Sequence, residues 1–292
     1  MVRDPALLVW LDAQENAKGR PNENLARELM ELFTLGIGPY SEDDVKQAAR
    51  ALTGWKLVND EARFLPIRHD AGPKTILGHT CAFDADGLAG LLLDHPATSR
   101  RLAWRLGHEF FGEGAVESEA LDALAEGLRA HSLDIGWGIA TVLRSRQFFD
   151  NANLGRRVAS PIEFAVGAVR ALEMVDPAPS TPVLADWCGR LGQDLFDPPN
   201  VGGWPGGRAW ITTRSAIGRA NLAAALIGGE SVGLGTPFDP IALAERHGQR
   251  RNPAFFAQLL LGADRPEVPL DELGSARQAL TRLLASPEAQ RI

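Results

Sequence analysis

The chain has 292 residues, 45% of them apolar and 23% charged, a composition that can bury a sizeable core and excludes a disordered chain. A formal net charge of −7 argues against nucleic-acid binding, because neutralising phosphates requires a basic surface. No window approaches the run of roughly eighteen apolar residues that crosses a bilayer, and Met1-Val2-Arg3-Asp4-Pro5 lacks the charged-then-apolar pattern of an export signal.

Pro5 suits the first turn of a helix, and Leu7, Leu8 and Leu11 follow at helical spacing, predicting a helix that runs out near Gly19. Asn22 starts a second helix, whose stripe of Leu25, Leu29, Leu32 and Phe33 ends at Gly36. Ser41 with Asp44 three residues on predicts a cap for a third helix through Leu52. The periodicity then changes. Lys56-Leu57-Val58, Arg63-Phe64-Leu65 and Thr75-Ile76-Leu77 are short β-type runs broken by Asn59-Asp60 and Gly72-Pro73, which predicts a hairpin-like insertion.

Helical patterns resume over 85–94, 98–111, 117–130, 134–149 and 161–173, with Thr98 and Asp134 as caps and Pro161 in a first turn. Residues 176–182 form a Pro/Ser/Thr-rich loop, and further helices are expected at 182–192 and 212–228. The predicted fold class is therefore all-α: a multi-helical single domain over residues 1–292 with a small β-hairpin-like insertion around residues 55–80 and a soft boundary near 176–182. Cys81 and Cys188 make neither a disulfide framework nor a metal knuckle, leaving two free buried thiols or one bridge in an oxidising compartment.

No standard catalytic signature occurs. His108-Glu109 lacks a second His at the zincin spacing, and there is no Gly-x-Ser-x-Gly elbow, phosphate-binding loop or Cys-x-x-Cys pair. The polar candidates lie in two places. Glu28 and Glu31, three apart on the second helix, suit a hard cation or an acid/base pair, and the solvated acidic face is the alternative. His69 and Asp70 sit in the insertion between Arg68 and Lys74, where a His beside an acid is a metal ligand, a general base or a loop-fixing hydrogen bonder. Arg27 pairs with Glu23 at i, i+4 and, with Lys74, is the cation placed to bind a ligand or neutralise the carboxylates. Trp204, in the turn Gly202-Gly203-Trp204-Pro205-Gly206-Gly207, is either a structural turn residue or a stacking platform for a sugar or cation.

Four segments carry a family resemblance: Pro21-Asn22-Glu23-Asn24 through Leu35-Gly36, Ala49-Arg50-Ala51-Leu52-Thr53-Gly54-Trp55, Arg68-His69-Asp70 through Leu77-Gly78, and Leu191-Gly192-Gln193 through Phe196, closing on Gly203-Trp204-Pro205-Gly206-Gly207 and Trp210. In order and spacing the chain resembles the C-terminal two-thirds or so of the domain of unknown function 1800 family. That resemblance implies a mostly helical, exported or periplasmic bacterial protein whose gene lies beside one for a sulfatase-like protein, the partner it suggests. It also implies a missing N-terminal helical region, where an export signal would sit, and so an apolar patch uncovered at Leu7, Leu8, Val9 and Trp10. Two functional readings follow. One is a non-enzymatic scaffold or interaction protein acting with an exported partner. The other is a metal-dependent or acid/base hydrolase using Glu28, Glu31, His69 and Asp70 with a divalent metal ion.

Overall fold

In the computed structural model, which describes residues 2–112, 114–264 and 266–292, helices dominate and the named strands lie between Trp55 and Cys81. The chain divides into two compact units, residues 1–110 with 114–148 and residues 111–113 with 149–292. The 176–182 loop lies inside the second unit.

The first unit begins with α1 (Pro5–Trp10), whose N-cap Asp4 accepts a hydrogen bond from the Leu7 amide. The helix stops at Leu11 rather than near Gly19, because Asp12 turns into the left-handed region at φ 52° and only a 3₁₀ turn, Ala13–Glu15, follows. Leu8 is fully buried in the core, whereas Val9 and Trp10 are more than half exposed. Of the four residues expected to be uncovered, Val9 and Trp10 are exposed, Leu7 is partly buried and Leu8 is not exposed at all.

The second helix is not uniform. An α-helical turn, α2 (Asn24–Glu28), passes into a π-helix over Leu29–Thr34. The Leu35 amide bonds the Met30 carbonyl five residues back, and the Thr34 hydroxyl donates to the Leu29 carbonyl at 2.7 Å. The Thr34 hydroxyl thus turns back onto the carbonyls of the widened turn rather than toward solvent. Helix α3 (Glu42–Ala51) has the expected capping box, Ser41 with Asp44, a device worth about 1 kcal/mol.

The insertion consists of two antiparallel hairpins, β1 (Trp55–Val58) with β2 (Glu61–Phe64) and β3 (Lys74–Ile76) with β4 (His79–Cys81). Asn59 and Asp60 both take positive φ in the first turn, as a tight hairpin requires. Leu8, Leu25, Leu29, Met30, Val45, Leu52 and Ile76 share one core, each contributing about 1.5–3 kcal/mol by burial. Helices α4 (Ala85–Asp94), α5 (Pro96–Phe111), α6 (Ser118–Ala130) and α7 (Ile135–Leu143) follow. Asp134 caps α7 as expected, but α5 starts at Pro96, so Thr98 lies within its first turn and donates to the Leu92 carbonyl.

The second unit contains α8 (Pro161–Ala171), α9 (Thr181–Arg190), α10 (Thr213–Gly228), α11 (Pro240–Arg246), α12 (Phe255–Leu261) and α13 (Leu273–Ala285). Pro161 stands in the first turn of α8, capped by Ser160 with Glu163. Phe164, Leu172, Leu222, Leu226, Leu280 and Leu283 centre its core. Both cysteines are free; Cys188 is buried as expected, but Cys81 is exposed, because the last residue of an edge strand has no layer over it. Among the described residues no helix is long and apolar enough to cross a membrane.

Candidate functional site

The insertion is fastened to the end of α3 by the residues that looked chemically active. Arg50 Nε donates to Asp70 Oδ2 at 2.7 Å, and its Nη1 donates to Gln47 Oε1 and the Pro73 carbonyl. The Arg50 guanidinium holds the Asp70 carboxyl down at about 2, with the Gly72 amide on Oδ1 adding to the effect. The Thr53 hydroxyl donates to the Arg50 carbonyl and accepts from the Asp70 amide at 2.8 Å. His69 Nδ1 lies 3.0 Å from the Thr53 carbonyl. A carbonyl only accepts, so Nδ1 carries the proton and, in the neutral ring, Nε2 is the acceptor.

Lys74 is 1% exposed, and its Nζ donates to the carbonyls of Asp70 at 2.6 Å and Gly72 at 2.9 Å. Burial pushes this ammonium down from its ordinary value, with the Asp70 charge opposing. Gly54 makes the close approach possible. At φ +99°, a Cβ there would stand 2.9 Å from Phe64 Cε2 and 3.1 Å from His69 Cβ.

A second polar group forms around the π-helix. Burial raises the Glu28 carboxyl, the neighbouring Glu31 charge adds to this, and Arg27 opposes it. The Tyr40 hydroxyl donates to Glu31 Oε2 at 3.4 Å. Arg27 is already engaged, bidentate to Glu42 at 2.9 and 2.7 Å and to Glu23 at 3.1 Å. Arg101 lies over the Trp104 ring at 4.8 Å, and its buried Nε has no acceptor among the described residues. Burial and then Arg105 lower its proton affinity, with Glu31 acting the other way.

The two groups are separate in their bonding. Among the described residues no hydrogen bond or ion pair joins Glu28 or Glu31 to His69 or Asp70, and no group of three or more His, Cys, Asp and Glu is placed to hold a metal ion. Arg50 and Thr53 were within reach of sequence reasoning, since they stand in the Ala49–Trp55 segment. Tyr40 is the chain's one tyrosine, and Arg101 stands out in the sequence only as half of the Arg100–Arg101 pair, which could bind phosphate or simply line a helical solvent face.

The first unit also carries an apolar groove of about 470 Å³ lined by Asp4, Ala6, Leu7, Trp10 and Phe33. In the second unit Trp204 is half-buried, in a loop where Asn200 bonds the amides of Gly202 and Gly203.

Comparison with known proteins adds one assignment. The family model for a protein of unknown function, DUF1800, matches residues 1–291. The chain belongs to that family, and the match takes in the first twenty residues rather than beginning at the Pro21 segment. No curated protein and no solved structure matches it.

Proposed function

We propose that the protein is a non-enzymatic interaction protein, and that its working partner is the exported sulfatase-like protein that the family resemblance suggests. The observation that carries this reading is the groove beside α1, where Trp10 is 55% exposed beside Leu7 and Phe33. A large, rigid aromatic at the mouth of an apolar groove is the kind of residue that dominates binding energy when a partner covers it. The polar candidates support the same reading. His69, Asp70 and Lys74 make their hydrogen bonds within the fold, and Arg27 is paired with Glu42 and Glu23 at the surface.

The hydrolase reading keeps one specific support, the Glu28–Glu31 pair at the π-helix, since such helices gather at functional sites. Calorimetry separates the two. Titrating the sulfatase-like protein into this one should give a saturable complex with a dissociation constant of about 1 μM or below, unchanged by Glu28→Gln. Absence of binding, together with a divalent ion bound by the wild type and lost in Glu28→Gln, would overturn the interaction reading and support a metal site at Glu28. Trp204 joins this proposal as a stacking face for a sugar or cation, and loss of such binding in Trp204→Ala is its test.

A further inference from the structure

The second unit holds a cavity of about 430 Å³ between the end of α8, the loop 234–239 and α11, within the size range of small-molecule sites. Met174, Leu234, Pro237 and Phe238 give it an apolar lining, and Met174 is 5% exposed. Its charged lining is three carboxylates, Glu173, Asp176 and Asp239, against one cation, Arg246.

These carboxylates are not equivalent. Glu173 Oε1 lies 2.6 Å from His247 Nε2 and its Oε2 accepts from Arg246 Nη2 at 3.1 Å, so its charge is answered from within the chain. Glu173 holds this position at φ 52°, a left-handed conformation that normally selects glycine. The side-chain bridge to Arg246 and His247 is what a glutamate supplies there and a glycine would not. Asp239 uses Oδ1 on the amides of Ile241 and Ala242, and among the described residues no hydrogen bond reaches its Oδ2. Asp176 accepts no hydrogen bond among the described residues.

We infer that this cavity binds a small organic cation, a primary ammonium or guanidinium on an apolar stem, with the stem against Met174 and Phe238 and the charge toward Asp176 and Asp239. The three carboxylates are exposed, so an anion would meet their repulsion, a neutral apolar ligand would gain nothing from their charge, and a cation alone is attracted by it. The inference is independent of the groove at α1, which belongs to the other unit.

The test uses the full chain labelled with ¹⁵N and titrated with n-pentylammonium, with 1-pentanol and valerate as the neutral and anionic counterparts. Amides of residues 173–177 and 234–242 should shift, with a dissociation constant of about 1 mM for so small a ligand. Pentanol should bind at least about fivefold more weakly, and valerate should give no shift at the same concentration. Asp176→Asn, an exposed loop substitution with no bond to lose, should weaken pentylammonium about threefold or more while leaving the melting temperature unchanged. Equal binding of pentanol, shifts outside the cavity, or no shift up to about 20 mM would each overturn the inference.

Discussion

Arg219 Nη1 donates to Gln290 Oε1 across 3.0 Å, in a place where neither side chain meets solvent. Arg219 is 1% exposed, its Nη2 donates to the Ala159 carbonyl at 2.7 Å, and its guanidinium lies over the Phe164 ring at 5.4 Å. Among the described residues no carboxylate hydrogen-bonds it, and burial brings its pKa down to about 10. The second unit thus fixes its C-terminal segment, residues 288–292, to residues 157–159 with a buried charge held by two neutral acceptors and a ring.

Removing an acceptor from a buried cation costs more than removing both partners. Gln290→Leu should destabilise the second unit by about 2–3 kcal/mol, since the guanidinium loses a charge-assisted bond and stays buried. The double variant Arg219→Met with Gln290→Leu should cost less than the sum of the single changes. Urea unfolding of the four species gives the coupling, and additive costs would show that the two residues act independently.

Asp70 predicts an acid limb of stability. Its folded value of about 2 lies below the ordinary 3.8, so the folded state binds fewer protons between those values. The Arg50–Asp70 bond therefore stabilises fully above about pH 4 and is lost as pH falls toward 2, contributing about 1–2 kcal/mol after allowance for partial exposure. Asp70→Asn should remove that limb and leave a flatter urea midpoint across the same range. An unchanged limb in the variant would assign it to other carboxylates.

Glu28 carries the opposite sign. Its carboxyl is raised by burial and by Glu31, so the folded state prefers the protonated form and loses stability as pH rises through the raised value. Glu28→Gln should stabilise at neutral pH by up to about 1 kcal/mol, with the gain vanishing in acid. A loss of stability at neutral pH would mean that the ionised carboxylate makes a favourable contact.

Gly54 permits the seam between α3 and the insertion, at φ +99° with Phe64 2.9 Å from where a Cβ would stand. Gly54→Ala should cost about 2 kcal/mol or more, from a strained backbone and displaced rings. Thermal unfolding measures it, and a shift of the midpoint under about 2 °C would contradict the close packing.

Most of this fold was legible because caps and periodicity are local. Ser41 with Asp44, and Asp134, stand where their side chains bond the first amides of a helix, and Pro161 stands in a first turn. The π-helix was not legible, since Leu25, Leu29, Leu32 and Phe33 satisfy an α-helical stripe equally well. The first helix was overextended for a similar reason: nothing in Leu11-Asp12-Ala13 announces a left-handed aspartate. For the polar residues, the sequence identified His69, Asp70 and Lys74 but not their partners. Arg50 and Thr53 lie 20 and 16 residues upstream of Asp70 and His69, a separation that local pattern does not encode.

The central claim rests on the face of Trp10, and calorimetry of the Trp10→Ala variant with the sulfatase-like protein tests it most directly. Trp10 is 55% exposed, so its removal should leave the melting temperature within about 2 °C of the wild type. The account predicts that affinity falls at least about tenfold, the loss expected of a central aromatic anchor. Wild-type affinity in a variant that folds normally would contradict it.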